Sequence, residues 1–302
     1  MSRKILFIHA GGAKPDADTY AELSHTALSN GIQRDHPELA DRFRDCDFEL
    51  LYYADLFDEL YAASYDSALD LADRRLALRE LTALDKSKRF RRVNYERLPQ
   101  KSALPEFFAG VGAPLSRMIG LGKRFAGRVI PEYGLYQQDA DIAAALNERV
   151  EAALRRLLAN DGAALLISHG FGSVPTYNAL WRLSHGEEPL PDKFDTWITL
   201  GAPLADNAVR GALDGAGEAI ERRHPTNLVS WYNVAAEDDP VCHDETVADD
   251  FKPLLKRQQI ARIVDHKIYN LALRFGRSYP RASVGYLIHP RVSALVADWL
   301  NA

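Results

Sequence analysis

The architecture of this chain can be read from Ala163-Ala164-Leu165-Leu166-Ile167-Ser168-His169-Gly170-Phe171-Gly172-Ser173. The first five residues are apolar, which is typical of a strand buried on both faces of a parallel sheet. Two glycines then mark a turn, and a helix can begin at Ser173. The sequence therefore predicts a strand, a sharp turn and a helix, with Gly170 at the apex. Glycine has no side-chain oxygen, so this position cannot form a covalent intermediate with a substrate.

Similar apolar runs recur along the chain and alternate with helical sequence. Strands are predicted at 5–8, 47–53, 163–167, 196–200 and 228–234, and helices at 16–34, 69–84, 139–160, 173–184 and 290–300. Buried strands that alternate with helices form a mostly parallel sheet with helices on both faces. We therefore expect an α/β fold in which residues 1–302 form a single domain.

Composition is that of an ordinary globular protein and argues against several other classes. Of the 302 residues, 47% are hydrophobic and 26% are charged, which is enough for one large core. Two cysteines, Cys46 and Cys242, fit neither a disulfide framework nor a zinc motif. No apolar stretch has the length of a signal sequence or a membrane span. We expect a cytoplasmic protein with no transmembrane segment, cofactor or metal, and the net charge of −5 argues against nucleic-acid binding.

Residues 55–131 interrupt the alternation and are predicted to be a mainly helical insertion, a lid or cap. Eleven lysine or arginine residues and two glutamates lie between Lys86 and Arg128, a local charge of about +9. One interpretation is a solvated helix face. The alternative is a basic lid that meets an anionic surface, as in a peripheral adaptor. Its apolar contacts would come from Phe107, Phe108, Met118 and Ile119.

Five segments with turn-forming or polar residues lie at the ends of predicted elements. They are His9-Ala10-Gly11-Gly12, Ser168-His169-Gly170-Phe171-Gly172-Ser173, Thr199-Leu200-Gly201-Ala202-Pro203-Leu204, Asn233-Val234-Ala235-Ala236-Glu237-Asp238-Asp239-Pro240-Val241 and Tyr279-Pro280-Arg281-Ala282-Ser283-Val284-Gly285-Tyr286-Leu287. Together they resemble the serine esterase and lipase-like branch of the α/β-hydrolase superfamily, in which nucleophile, acid and histidine follow in this chain order. The resemblance covers residues 4–12 and most of 139–300, and it implies an α/β-hydrolase-like fold.

The resemblance also assigns residues to the positions of a catalytic triad, which is degenerate. Gly170 stands where the family has its serine, Asp239 fits the acid position, and Arg281 stands at the histidine position. A neighbouring alignment places Val284 there instead, which also lacks an imidazole. The implied pocket residues are His9, Ala10, Gly11, His169, Phe171, Gly172 and Ser173. We expect Asp239 to pair with Arg281 through a charge-assisted hydrogen bond.

Other side chains are possible substitutes for the missing groups. Ser168 and Ser173 flank the turn as alternative nucleophiles, although a serine in a first helical turn more often caps backbone N–H groups. We expect His169 to pack in the interior and His9 to shape the pocket. Candidate bases are His243, His266 and His289.

These observations predict a hydrolase-like protein without ordinary triad catalysis. A glycine-rich turn before a helix still presents N–H groups and the positive end of the helix dipole, which favour an anion. We expect the cleft to bind an anionic small molecule or an acidic group of a protein partner. The alternative is an active acyl hydrolase that uses a displaced serine or a water-activating aspartate. The inactive interpretation requires Gly170 at the apex of the turn and no serine Oγ bonded to an imidazole.

Overall fold

A parallel sheet forms the centre of the protein. The computed structural model describes residues 3–99, 130–159, 163–242 and 244–302. The strands of the sheet are β1 (Lys4–Ile8), β2 (Asp47–Leu51), β3 (Ala164–His169), β4 (Phe194–Leu200), β5 (Leu228–Ala236) and β6 (Arg262–Ile268). They lie in the order β2-β1-β3-β4-β5-β6, and each neighbouring pair is parallel. The predicted parallel sheet is confirmed, whereas the sequence did not predict β6.

Helices and one short hairpin flank this sheet. The described helices are α1 (Ala17–Asp35), α2 (Ala40–Arg44), α3 (Asp58–Tyr61), α4 (Ser67–Thr82), α5 (Arg92–Tyr95), α6 (Pro131–Gln138), α7 (Ala140–Leu158), α8 (Ser173–His185), α9 (Asn207–Arg210), α10 (Lys252–Lys256), α11 (Ser283–Leu287) and α12 (Pro290–Asn301). The hairpin pairs β7 (Leu273–Arg274) with β8 (Arg277–Ser278) in antiparallel register. The five predicted helices correspond to α1, α4, α7, α8 and α12. Their ends differ from the prediction by no more than two residues.

Each face of the sheet supports its own hydrophobic core, which explains why the central strands are apolar throughout. Side chains alternate along a strand, so Leu165 and Ile167 of β3 lie on one face and Leu166 lies on the other. The first core contains buried residues of α1, α4 and α12, and the second contains those of α7 and α8. Helices therefore cover both faces, as the alternating pattern predicts.

The described part of the predicted insertion packs partly on the body of the protein. Helix α4 contacts α1, α11 and β7. In the basic run after it, the lysine and arginine side chains of residues 86–92 are exposed, and Phe90 is buried beneath the Arg34 guanidinium, 4.6 Å from its ring centroid. This agrees with a solvated basic face. Phe107, Phe108, Met118 and Ile119 lie outside the described residues, so the basic lid and the single-domain assignment stay predictions.

Two kinds of feature are absent from the described residues. No helix among them is both long and apolar enough to cross a membrane. They also contain no group of three or more histidine, cysteine or acidic side chains arranged to hold a metal ion.

Candidate ligand-binding site

The strand order places a cavity at the carboxyl edge of the sheet. The chain passes from β1 to β2 on one side and returns to β3 on the other side of β1. Loops diverge at such a switch point, and ligands of open α/β sheets bind in the crevice that results. Here a cavity of about 510 Å³ is lined by 10–14, which follow β1, and by 169–171 at the end of β3. The loops after β4 and β5 contribute Gly201 and Asp238–Val241 to its wall.

Gly170 lies at the apex of the turn between β3 and α8, as predicted. A single 3₁₀ turn, Gly170–Gly172, connects the strand to the helix. The φ of Gly170 is +53°, in the left-handed region that favours glycine. An added Cβ would lie 3.0 Å from the Ala10 Cβ. At Gly170 the cavity is therefore lined by backbone atoms and not by a side chain.

The cavity contains seven of the ten predicted site residues. These are Ala10, Gly11, His169, Gly170, Phe171, Asp239 and Arg281. His9, Gly172 and Ser173 do not line it. All three are buried, and their assignment to the pocket stays a prediction.

His9 is a structural residue that holds the loop after β1. Its Nδ1 donates to the Ala10 carbonyl over 2.7 Å, and its Nε2 accepts the Tyr53 N–H over 3.0 Å. The imidazole also stacks on the Tyr53 ring at 3.9 Å. Burial, followed by the charge of Lys14, holds the pKa of His9 well below its ordinary value. His9 is therefore neutral and shapes the pocket from behind, as expected.

Asp239 does not pair directly with Arg281, contrary to the expectation. Its Oδ2 accepts the Tyr286 hydroxyl over 2.7 Å, and its Oδ1 accepts the Val241 N–H over 3.0 Å. Burial raises the pKa of Asp239, while these hydrogen bonds lower it. The side chain of Tyr286, which is fully buried on α11, occupies the place that was expected for Arg281.

Arg281 instead contacts the neighbouring Tyr279. Its Nε donates to the Tyr279 hydroxyl over 2.7 Å, and its guanidinium lies 5.1 Å from the centroid of the same ring. Within the described part of the chain, no carboxylate forms an ion pair with Arg281. The two other arginines of the cavity differ, because Arg74 pairs with Asp70 and Arg274 pairs with both Asp70 and Asp73. Arg281 is thus a half-buried cation that faces the cavity with its charge uncompensated by direct contact.

A serine–histidine contact lies in the cavity wall, which contradicts one requirement of the inactive interpretation. The Ser283 Oγ is 3.0 Å from the His169 Nδ1 and 2.8 Å from the Tyr20 hydroxyl. Burial, and then the charges of Lys14 and Arg281, lower the pKa of His169 to about 3. No described carboxylate hydrogen-bonds this imidazole. The pair therefore has the contact of a catalytic dyad but a weakly basic imidazole.

Those substitutes considered from the sequence that the structure describes do not reach the cavity. Ser168 donates to Ser173 over 2.9 Å and accepts the Trp197 Nε1–H over 2.9 Å, and both serines are fully buried. His266 and His289 do not line the cavity, and Val284 packs in the hydrophobic core. His243 lies outside the described residues. Neither serine is therefore placed to attack a ligand.

Buried acid and amine groups that the sequence did not single out also line the cavity. Glu132, at the start of α6, accepts the Gly12 N–H and the Tyr61 hydroxyl. Lys14 donates from Nζ to the carbonyls of Gly11 and Gly12 over 2.6 and 2.7 Å. No local motif marks Glu132, since it reaches the loop after β1 from 120 residues away.

Comparisons with protein-family models, curated proteins and solved structures found no match.

Two buried histidines are expected to make the protein acid-sensitive. Burial lowers the pKa of both His169 and His289 from 6.5 to about 3. Unfolding exposes these imidazoles, which then bind protons that the folded state excludes. Stability should therefore fall as the pH drops from 6.5 toward 3, by about 1.4 kcal/mol per pH unit for each histidine.

Urea unfolding at several pH values measures this effect, with His289→Asn as the comparison. Asparagine keeps an acceptor for the Arg291 N–H that His289 accepts over 3.0 Å at the start of α12. We expect the variant to lose stability less steeply than the wild type below about pH 6.5. Equal slopes would show that His289 does not contribute.

Proposed function

We propose that this protein binds an organic anion with an apolar body in the cavity at the carboxyl edge of its sheet, and that it does so without triad catalysis. The single observation that carries the proposal is Arg281, which lines the cavity with no carboxylate partner among the described residues. Arginine binds carboxylates through parallel hydrogen bonds from its planar guanidinium. Because Nε is engaged by Tyr279 and no described residue hydrogen-bonds either Nη group, both are left for a ligand.

The size and lining of the cavity support a ligand that is larger than an inorganic ion. Its volume of about 510 Å³ falls within the range of small-molecule sites. Apolar surface comes from Ile130, Phe171 and Val241, and further aromatic surface from Tyr61 and Tyr65. A compound with a carboxylate at Arg281 and an aromatic or acyl body fits this distribution.

The resemblance to the α/β hydrolases supports a relative that lost its reaction while it kept the cleft. The parallel sheet, the turn at Gly170 and the acid after β5 agree with that fold. The nucleophile position is glycine, and the tyrosine Tyr286 contacts Asp239 where a catalytic histidine is expected. A binding function fits a cleft that keeps an arginine although glycine and arginine replace the serine and histidine at the triad positions.

Titration calorimetry with 3-phenylpropionate tests the proposal. We expect Arg281→Gln to weaken binding about 10- to 100-fold, because a charged hydrogen-bond partner is worth about 1.5–3 kcal/mol. Glutamine keeps a polar group that can contact Tyr279. Arg44→Gln, at an exposed arginine that does not line the cavity, is the matched control and should bind as the wild type does. Equal affinity for Arg281→Gln, or no wild-type binding of carboxylates, would reject the proposal.

A second candidate function is acyl hydrolysis by Ser283, and the 3.0 Å contact with His169 is the observation that favours it. A general base works best when its pKa is near the operating pH, whereas burial and nearby cations hold the pKa of His169 at about 3. We therefore expect a fluorophosphonate probe to leave the protein unlabelled. Labelling that is lost in Ser283→Ala would instead establish the hydrolase and overturn the non-catalytic part of our proposal.

A further inference from the structure

Lys14 is a buried amine of the cavity that the proposed function does not use. It is 8% exposed and lines the cavity on the loop after β1. Nζ donates to the carbonyls of Gly11 and Gly12 over 2.6 and 2.7 Å, and no described carboxylate forms an ion pair with it. A neutral amine has two N–H bonds and one lone pair. Two carbonyl acceptors therefore satisfy its N–H groups completely and leave the lone pair unused.

The surroundings of Lys14 favour the neutral amine. Burial is the largest cause that lowers its pKa well below 10.5, and the Arg74 guanidinium is the next. The charges of Glu132 and Asp70 act in the opposite direction, and Arg281 adds to the lowering. The nearby imidazoles, His9 and His169, are neutral chiefly because burial lowers their pKa values. A desolvated lysine beside other cations is the arrangement in which an amine becomes nucleophilic near neutral pH.

The amine is also fixed in position by its own loop. The Gly12 φ of +91° is a conformation that favours glycine. Glu132 accepts the Gly12 N–H of the same loop and also accepts the Tyr61 hydroxyl. The side chain of Lys14 folds back over this loop, so that Nζ lies 3.4 Å from where a Cβ of residue 12 would be. Lys14 is thus held among the groups that surround the cavity rather than extended into solvent.

We propose that Lys14 is a nucleophile that forms an imine with the aldehyde or ketone carbonyl of the bound ligand, which makes the ligand class an oxo acid. The carboxylate part of this assignment rests on the proposed anion site at Arg281. The carbonyl part depends on Lys14, which lines the same cavity.

The step is a reversible condensation that needs no oxidant or reductant. The lone pair of Nζ forms a bond to the carbonyl carbon, and the C=O π electrons move to oxygen. Both amine protons are transferred to that oxygen, which leaves as water while the C=N bond forms. Glu132, a buried carboxylate whose charge acts on Lys14, can move these protons.

Reductive trapping with phenylpyruvate and cyanoborohydride near neutral pH tests the imine on the unaltered protein. Peptide mass spectrometry should find the reduced adduct on Lys14 at least about tenfold faster than on the exposed Lys193 and Lys252, since an ordinary lysine is neutral roughly once in a thousand at that pH. Lys14→Arg removes the primary amine and should show no adduct at position 14. 3-Phenylpropionate, which has no ketone, should compete with trapping.

The outcomes separate this inference from the proposed function. Calorimetric binding of phenylpyruvate without an adduct on Lys14 would overturn the imine and leave the anion site standing. An adduct that forms equally fast in Arg281→Gln would uphold the amine and overturn the anion site. Absence of both binding and adduct would overturn both.

Discussion

Replacement of Gly172 by alanine is expected to lower the free energy of unfolding by about 3 kcal/mol or more. A Cβ at this position would collide with the His9 carbonyl oxygen and lie 3.1 Å from the Ile8 Cγ2. Both atoms belong to β1 or to the residue after it, and β1 is held by β2 on one side and β3 on the other. The backbone cannot move away without breaking strand pairing, so the clash is not relieved by a side-chain rotation.

Urea unfolding of a glycine series measures this effect. Gly217→Ala is the matched control, because an added Cβ there meets no atom within 4 Å, and its stability should change by less than about 0.5 kcal/mol. Gly170→Ala should fall between the two, since it combines a φ of +53° with one contact of 3.0 Å. Equal stability of the Gly172 and Gly217 variants would contradict the close approach of α8 to β1.

Arg274→Met is expected to destabilise the protein by about 3–5 kcal/mol, because it leaves two buried carboxylates with less positive charge. The Arg274 guanidinium contacts both Asp70 and Asp73 of α4. The three side chains are 12%, 8% and 9% exposed. Asp73 also accepts the Phe275 N–H over 2.8 Å, so this cluster connects α4 to the β7–β8 hairpin.

The comparison is Arg44→Met, which breaks the exposed ion pair with Asp41. Those side chains are 71% and 87% exposed, and an exposed pair contributes about 1 kcal/mol at most. Adding Asp73→Asn to Arg274→Met should restore part of the lost stability, because it removes one uncompensated charge. Similar losses in the Arg274 and Arg44 variants, or no recovery in the double variant, would argue against a buried network.

Most of the sheet could be predicted because its central strands are continuous apolar runs. Strand β3 is buried along its whole length, and the continuous apolar run 164–167 is typical of a strand buried on both faces of a parallel sheet. Strand β6 was missed because Asp265, His266 and Lys267 interrupt its apolar residues, so this edge strand contains no continuous apolar run. The short β7–β8 hairpin has too few residues for any periodic pattern.

The candidate site was predictable where one loop forms it and unpredictable where distant segments meet. Gly170, Asp239 and Arg281 were placed at the cavity by motifs that each span a few residues. The contact between Ser283 and His169 joins positions 114 residues apart, and nothing local signals it. The expected pairing of Asp239 with Arg281 was wrong for a related reason. Arg281 and Tyr286 lie in the same segment, and the sequence does not show which of these two side chains reaches the Asp239 carboxylate.

The residues that line the cavity lie far apart in the sequence, so the cavity forms only when the whole fold has formed. Ligand-facing groups come from residues 10 to 283, so a partly folded or incompletely synthesised chain cannot present them together. A ligand of the proposed site should therefore bind the native state and not earlier species. Binding then raises the free energy of unfolding by RT ln(1 + L/Kd), where L is the free ligand concentration, so the melting temperature should rise with ligand concentration.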